Sequence, residues 1–142
     1  MTYLYRHRVR YRECDPMGVV YHAHYLDYFE AARTEALRAW GVPYRRLEET
    51  GVIMPVVDVR LQYHRPGRYD DLLVIETIFS EPPGVRVPID YVVRREGEDG
   101  EVEPKPLVSG RVTLCFVDPK RHRPISAPPL IREAFERVTS DQ

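Results

Sequence analysis

The sequence predicts an α+β fold in which a five-stranded antiparallel sheet wraps around one long central helix. Only one long stretch, residues 22–40, has the apolar spacing of three and four that is typical of a helix. Five segments have strand patterns, and the last four follow one another through hairpin-like connections, which indicates antiparallel pairing. The helix is apolar around most of its circumference, so we expect the sheet to curl about it.

The first half of the chain supplies one strand and the helix. Residues 3–11 alternate apolar and cationic side chains, the pattern of a strand with one covered face. The helix is expected to begin at about His22 and to end before Gly41. We expect Glu30 to be an exposed partner of Arg33 on its polar side. Its apolar residues are Tyr25, Leu26, Tyr28, Phe29, Ala31, Ala32, Ala36, Leu37, Ala39 and Trp40.

The second half predicts a short helix at 44–50, strands at 56–63, 72–79, 85–94 and 107–117, and a final helix at 129–138. The strand at 72–79 is apolar on nearly both faces, so we expect it at the centre of the sheet. Pro88 cannot donate a ladder hydrogen bond, which predicts an edge or a bulge in its strand. A chain of 142 residues fits a single domain, residues 1–142, with one core.

Charge and cysteine content narrow the class of function. The 21 basic and 22 acidic residues give a formal net charge of -1, so no overall field favours nucleic acid or an anionic membrane. Cys14 and Cys115 form no CxxC pair, which is typical of a protein in a reducing cytoplasm. Residues 1–12 lack the apolar core of a signal peptide, and no run approaches the roughly 18–20 apolar residues of a membrane span. We therefore expect a cytoplasmic protein with no membrane span and no nucleic-acid partner.

The acidic loop Asp15-Pro16-Met17-Gly18, directly before the helix, is the expected functional site. The run that contains it, CDPMGVVYHAHYLDYFEAARTEAL at 14–37, resembles the signature of the hotdog-fold acyl-CoA thioesterases. It is similar to the 4-hydroxybenzoyl-CoA thioesterase group and to the acyl-CoA thioesterases associated with the Tol-Pal system. The run YHRPGRYDDLLVIET at 63–77 resembles the second and third strands of that family, so the resemblance covers nearly the whole chain.

The resemblance implies a hotdog fold and hydrolysis of an acyl-CoA thioester to free acid and CoA. The family signature has an Asp, a Gly three residues later and a His-containing segment that opens the helix; here these are Asp15, Gly18 and His22. Asp15 is then the catalytic carboxylate, either as nucleophile or as general base for water. The backbone N–H of His22, with Tyr21 beside it, binds the oxyanion at the electropositive start of the helix. Gly18 lets the backbone turn sharply and leaves room for the thioester.

Several of these residues have a second possible role. Asp15 could only cap a turn, because Asp-Pro commonly opens loops. The His22 side chain either orients Asp15 or substrate, or is inert packing. His22 and His24 diverge by roughly 200° on a helix and have no third ligand, so we expect no metal site. Cys14 lies between two acids, which disfavours its thiolate as a nucleophile.

Two basic loops are candidates for binding the phosphates of CoA. Arg65 and Arg68 belong to the first, and Lys120 and Arg121 to the second. Solvated loops explain these charges equally well. Aromatic residues near the helix start, Tyr25 among them, offer a wall for the acyl or aryl group of the substrate. We expect no cofactor apart from the CoA carried by the substrate.

An open sheet of this kind predicts self-association. Its edge strands are unpaired, and pairing the edges of two chains would cover them. We expect a homodimer or homotetramer, and the resemblance places the site at such an interface. A small or medium acyl- or aryl-CoA is the expected substrate. Two alternatives stay open: an acyl-CoA or acyl-carrier-protein binding module without turnover, and a hotdog hydratase/dehydratase, which would need a His base paired with an acid on the helix.

Overall fold

The computed structural model describes residues 1–140, so the last two residues of the predicted domain lie outside the described range. The helices are α1 (His24–Ala39), α2 (Tyr44–Glu49) and α3 (Pro129–Ser140). The main strands are β1 (Thr2–Arg8), β2 (Val56–Tyr63), β3 (Leu72–Ile78), β4 (Arg86–Glu96) and β5 (Val108–Cys115). Two short strands, β6 (Val117–Asp118) and β7 (Arg123–Pro124), pair with each other before α3. Each predicted helix and strand is present, with its ends shifted by a few residues.

The five main strands form one sheet in the order β1-β3-β4-β5-β2, and every neighbouring pair is antiparallel. This confirms the predicted five-stranded antiparallel sheet. β3 lies inside the sheet, as its apolar pattern predicted, with Leu73 and Ile75 fully buried. β1 and β2 form the two edges. No helix within residues 1–140 is long and apolar enough to cross a membrane.

α1 packs against the sheet, with most of its contacts to β1 and β3. The Phe29 ring stacks on Tyr91 of β4, with the ring centroids 4.3 Å apart and the planes 7° from parallel. Aromatic stacking of this kind adds to the burial of apolar area. The buried apolar residues of α1 are Tyr25, Tyr28, Phe29, Ala32, Ala36 and Leu37. This packing fixes the position of the first turn of α1 relative to the sheet.

Two expectations about α1 are wrong in the protomer. The helix begins at His24 and not at His22, because His22 and Ala23 form a turn before it. It is also not covered on most sides, because the sheet covers only one of its faces. The exposed positions are Leu26, Asp27, Glu30, Arg38 and Ala39.

Pro88 lies in β4, an inner strand, so the predicted edge position is wrong. Successive residues of a strand direct their backbone groups to opposite neighbours. The amide of Leu107 donates to the carbonyl of Val93, so the odd-numbered residues of β4 direct their N–H and C=O groups towards β5. Pro88 is even-numbered, so its backbone groups are directed towards β3. Pairing with β3 ends where Ile78 lies opposite Asp90, two residues from Pro88. The proline therefore lies where no ladder donor is needed.

Arg33 is buried, contrary to the predicted exposed pair with Glu30, and only 6% of its surface is accessible. Its Nη1 donates to the hydroxyl of Tyr91 at 2.9 Å, whereas its buried Nε has no hydrogen-bond partner among the described residues. Burial raises the pKa of Tyr91 to about 12, although Arg33 opposes the shift, so the phenol stays protonated. Burying a charge costs free energy unless the charge is hydrogen-bonded, so the bond to the Tyr91 hydroxyl stabilises Arg33 in the interior.

Removing that hydroxyl in a Tyr91→Phe variant is expected to destabilise the fold by about 1–3 kcal/mol, because a buried guanidinium loses its acceptor. Adding Arg33→Met, which fills a similar volume without charge, is expected to restore most of that stability. Urea unfolding of the two single variants and the double variant measures the coupling. Losses that simply add in the double variant would show that the two groups do not interact.

Candidate active site

The loop that carries Asp15 is a small hairpin. The amide of Tyr21 donates to the carbonyl of Glu13 at 2.9 Å, and the amide of Asp15 donates to the carbonyl of Val19 at 2.8 Å. Gly18 closes the turn with a φ of 79°, in the left-handed region that favours glycine. The predicted sharp turn at Gly18 is therefore present. The hairpin places Asp15 near its tip and Tyr21 at its base, where α1 is about to begin.

The Asp15 side chain is half-buried and held in one orientation. Its Oδ1 accepts hydrogen bonds from the amide of Met17 at 2.9 Å and from the amide of Val19 at 3.3 Å. This is the turn-capping role that the sequence left open. The other oxygen, Oδ2, makes no hydrogen bond within residues 1–140. Capping occupies only one carboxylate oxygen, so it does not exclude the predicted catalytic role.

The turn that leads into α1 has two adjacent unpaired amides. The amide of His24 donates to the carbonyl of Tyr21 at 3.0 Å, and the amide of Leu26 donates to the carbonyl of Ala23 at 3.1 Å. In the part of the chain that the structure describes, the amides of His22 and Ala23 donate to no protein acceptor. Unpaired amides at a helix start carry partial positive charge and are suited to a developing oxyanion. Because His22 precedes the helix, its amide stays free of the helical hydrogen-bond ladder.

A groove runs beside the hairpin to the start of α1. It has a volume of about 280 Å³. In the hairpin, Asp15 pairs with Val19, which precedes His22 by three residues. The backbones of Asp15 and His22 are therefore roughly 10 Å apart along the hairpin. A larger depression of about 550 Å³, near Arg8 and Glu96, is lined by charges of both signs and by none of the predicted site residues. The smaller groove beside the hairpin is lined by Val19, Val20, Tyr25, Tyr63, His64, Arg65 and Pro66.

The connection between β2 and β3 closes over this groove. The amide of Val20 donates to the carbonyl of Gly67 at 2.8 Å, and Arg68 pairs with Val19. A Cβ on Gly67 would lie 2.8 Å from the hydroxyl of Tyr25, so only glycine allows this approach. Tyr25 is itself buried, and burial raises its pKa to about 12. The connection therefore joins the hairpin, the helix start and β2 into one unit.

Asp15, Gly18, Tyr21, His22 and Tyr25 therefore gather at one end of α1, although their catalytic roles remain predictions. Tyr21 is 46% exposed, and its ring lies 4.3 Å from that of His22. The Nδ1 of His24 lies 3.0 Å from Oδ2 of Asp27. Within residues 1–140, no group of three or more His, Cys, Asp or Glu residues is arranged to hold a metal ion.

The four basic residues predicted for CoA do not form one cluster in the protomer. Arg65 donates to Glu103 at 2.9 Å and to the carbonyl of Lys105 at 2.6 Å, so its charge is already paired. Arg68 is exposed beside the hairpin. Lys120 and Arg121 follow the far end of β5, seven residues of strand or roughly 23 Å from the end that pairs with Tyr63. Arg68 is the one of the four that lies next to the Asp15 loop with its side chain open to solvent.

A family model described as the thioesterase-like superfamily matches residues 9–135. The chain belongs to this family.

Relatives and solved structures agree with that assignment. An acyl-CoA thioesterase named YbgC from Haemophilus influenzae is 33% identical over 132 residues, covering 92% of each chain. An acyl-CoA thioester hydrolase also named YbgC, from Escherichia coli O6:H1, is 31% identical over 130 residues with the same coverage of 92%. The structure of a DHNA-CoA thioesterase from Staphylococcus aureus is 27% identical, has a TM-score of 0.84 and covers 98% of this chain and 91% of its own. These similarities confirm the predicted hotdog fold and the predicted class of thioester hydrolase.

In this thioesterase-family chain, sequence reasoning missed an anchor for the Asp15 loop. Glu13 Oε1 accepts hydrogen bonds from the amide of Arg10 at 2.8 Å and from the hydroxyl of Tyr28 at 3.0 Å, and lies 2.9 Å from His7 Nε2. One carboxylate oxygen thus links β1, the hairpin and α1. The only sequence signal was an acid two residues before Asp15, and nothing in the sequence paired it with His7 or Tyr28.

The anchor changes the acidity of its members. Burial opposes ionisation of Glu13, but hydrogen bonds from the Arg10 amide and His7, the charge of His7 and the hydroxyl of Tyr28 outweigh it and lower the pKa below 4.5. Burial, followed by the charge of Glu13, raises the pKa of Tyr28 well above its usual range. At neutral pH, Glu13 is therefore ionised and Tyr28 is a hydrogen-bond donor.

Because the pKa of Glu13 is lower in the folded than in the unfolded chain, its charge stabilises the fold above pH 4.5, and the contribution is lost as pH falls through the folded value. We expect a Glu13→Gln variant to lose stability less steeply than the unsubstituted protein when pH falls from about 6 to about 3. Thermal unfolding across that pH range measures the difference. A Glu98→Gln variant, in an exposed loop, is the control and should keep the original slope. Identical slopes for all three proteins would contradict the anchor.

Proposed function

We propose that the chain hydrolyses the thioester of an acyl- or aryl-CoA, with Asp15 as the catalytic carboxylate and the His22 amide as the oxyanion donor. The observation that supports this most is the hairpin from Glu13 to Tyr21, which leads from a half-buried carboxylate directly to the unpaired amides before α1. A negative group and a positive dipole end then lie at the tip and at the base of one hairpin, whose Val19 and Val20 line the groove. A carbonyl compound placed between them meets an attacking oxygen on one side and hydrogen-bond donors on the other.

A thioester demands little more than these two groups. The leaving thiolate has a pKa near 8.5, so it departs without a strong general acid. If Asp15 is the nucleophile, its oxygen bonds to the carbonyl carbon, the C–S bond breaks, and water hydrolyses the mixed anhydride. If Asp15 is the general base, it takes a proton from the water that attacks. In both routes the negative charge on the carbonyl oxygen faces the amide of His22.

The CoA part of the substrate is supported by the relatives, which are named as an acyl-CoA thioesterase and an acyl-CoA thioester hydrolase. The structurally similar DHNA-CoA thioesterase is consistent with an aryl group. Tyr25 and Tyr63 line the groove and offer aromatic surface for a small or medium acyl or aryl group. Arg68 is placed to meet a CoA phosphate beside the hairpin. CoA enters as part of the substrate, and the proposed steps need no further cofactor.

The active form is proposed to be a homodimer, or a homotetramer built from it. β2 is an edge strand with four exposed large side chains: Val56 at 51%, Val57 at 45%, Val59 at 40% and Tyr63 at 49% of their area. Unpaired edges of this kind favour pairing with a second strand. Tyr63 also lines the groove, so a partner on β2 would wall the site. The free thiols of Cys14 and Cys115 support a location in the reducing cytoplasm.

Assays with acyl-CoA and enoyl-CoA compounds distinguish hydrolysis from two other functions. Binding of acyl-CoA without release of free thiol would favour the binding module. Hydration of an enoyl-CoA would favour the hydratase, which needs a His base paired with an acid. The pair of this kind on α1, His24 and Asp27, is open to solvent, and its two side chains contact each other at 3.0 Å. The geometry therefore favours hydrolysis.

Replacing the carboxylate in an Asp15→Asn variant is expected to lower kcat by at least about 100-fold with little change in KM, because the amide keeps an acceptor for the turn but cannot attack or take a proton. Thiol release from a panel of acyl-CoAs measures this. The matched control is Asp99→Asn, because Asp99 Oδ1 also caps a turn, accepting from the amide of Glu101 at 3.0 Å. A folded Asp15→Asn protein with normal turnover would remove Asp15 from the mechanism.

Placing a charge on the edge strand in a Val59→Asp variant is expected to give monomers with little activity, because a buried unpaired carboxylate opposes pairing. Sedimentation analysis and thiol release, run on the same samples, check both effects. Val102→Asp, at a position 39% exposed in the loop after β4, is the control and should leave both unchanged. An active monomer would contradict an active form built on β2.

A further inference from the structure

Tyr63 makes a contact that neither Asp15 nor the helix start explains. It is the last residue of β2, and its hydroxyl donates to the carbonyl of His22 at 3.0 Å. This bond joins an edge strand to the turn before α1, across 41 positions of sequence. The Tyr63 ring also lies 5.9 Å from that of Tyr25, with the two rings edge to face. The hydroxyl is therefore held in the groove and aimed at one peptide group.

That peptide group carries one of the two unpaired amides. A peptide bond is planar and trans, so its carbonyl and its N–H point in opposite directions. The carbonyl of His22 and the amide of Ala23 belong to the same plane. Fixing the carbonyl of His22 therefore fixes the direction of the Ala23 N–H. A hydrogen bond to a carbonyl also polarises the peptide and makes its N–H a stronger donor.

The neighbouring plane is fixed in a different way. It contains the carbonyl of Tyr21 and the amide of His22, and its carbonyl accepts from the amide of His24 at 3.0 Å. That bond is part of the backbone turn and needs no side chain. The next plane, between His22 and Ala23, has its carbonyl bonded only by Tyr63 among the described residues. Of the two planes that present free amides, one is thus held by the backbone and the other by a side chain of β2.

We infer that Tyr63 is a positioning residue for the oxyanion site, and that the Ala23 amide is a second donor beside that of His22. This rests on the proposed function. Tyr63 acts through the His22–Ala23 peptide and does not touch the reacting atoms. Its hydroxyl holds the Ala23 amide at the angle to the His22 amide that the negative oxygen of the transition state requires. Because Tyr63 belongs to the edge strand, the position of β2 also determines the position of the Ala23 amide.

A purely structural role predicts something different. Tyr63 is 49% exposed, and β2 is held by backbone pairing with β5, including Tyr63 opposite Val108. Loss of one exposed hydroxyl should therefore change the unfolding temperature little. An interaction that aligns donors for the transition state affects kcat, whereas one that only holds substrate affects KM. The separation of kcat from KM thus distinguishes positioning from binding or folding.

The test is a Tyr63→Phe variant of the full chain, assayed by thiol release with an acyl-CoA that the unsubstituted protein hydrolyses. We expect kcat to fall about tenfold, less than for loss of a direct oxyanion donor, with KM and the unfolding temperature unchanged. Tyr69→Phe is the matched control, because Tyr69 is 56% exposed and its ring packs on Tyr11. The affinity for a non-hydrolysable thioether analogue, which lacks the carbonyl, should be the same in all three proteins.

Three results would overturn the inference. An unchanged kcat in Tyr63→Phe would show that the peptide needs no side-chain support. A rise in KM alone, or weaker binding of the thioether analogue, would make the Tyr63 hydroxyl a substrate contact. A fall in unfolding temperature that accounts for the lost activity would make the role structural. Absence of turnover by the unsubstituted protein on every acyl-CoA tested would instead overturn the proposed function, and this inference with it.

Discussion

The backbone pairing of residues 13–15 with residues 19–21 is the constraint on which the site depends. It brings Asp15 within roughly 10 Å of His22, in the turn before α1. The pairing ends at Tyr21, so the next two amides, of His22 and Ala23, stay unpaired before the helix. A longer loop would let Asp15 move away from the helix. A loop that continued directly into the helical ladder would bury the amides in intrachain bonds. The turn at Gly18, with its positive φ, is what makes the short pairing possible.

The rest of the molecule holds this hairpin from three sides. Glu13 ties its base to β1 and α1 through one carboxylate oxygen. Gly67 and Arg68, in the connection after β2, pair with Val20 and Val19. Tyr63 reaches the turn that follows. The core packing of α1 on the sheet sets the distance between these supports, so the fold and the site depend on the same contacts.

Much of this was predictable from local pattern. The long helix, the five strands and their antiparallel arrangement follow from periodicity and from the absence of helices between the later strands, and the Asp15 loop was identified by its resemblance to one family. The failures have a common cause in contacts distant in the sequence. Arg33 looked like a surface charge because its partner, Tyr91, lies 58 positions away. Pro88 looked like an edge residue because local sequence does not reveal where β3 stops pairing.

The site shows the same division. Asp15, Gly18 and His22 could be predicted as site residues because they lie within one run, whereas Glu13 depends on His7 and Tyr28, and Tyr63 depends on the turn at His22. Arg65 looked free because its partner Glu103 belongs to a different loop. The helix seemed buried all round because its apolar stripe is wide, yet one protomer covers only one face. Pairing of β2 with a second chain, which the open sheet edge predicts, stays a prediction.

The most direct measurement is a crystal structure of the Asp15→Asn variant bound to an intact acyl-CoA. The account predicts that the thioester carbonyl oxygen lies about 3 Å from the amide nitrogen of His22, and that its carbon lies about 3–3.5 Å from the substituted side chain. A thioester bound elsewhere, with both amides hydrated, would contradict it.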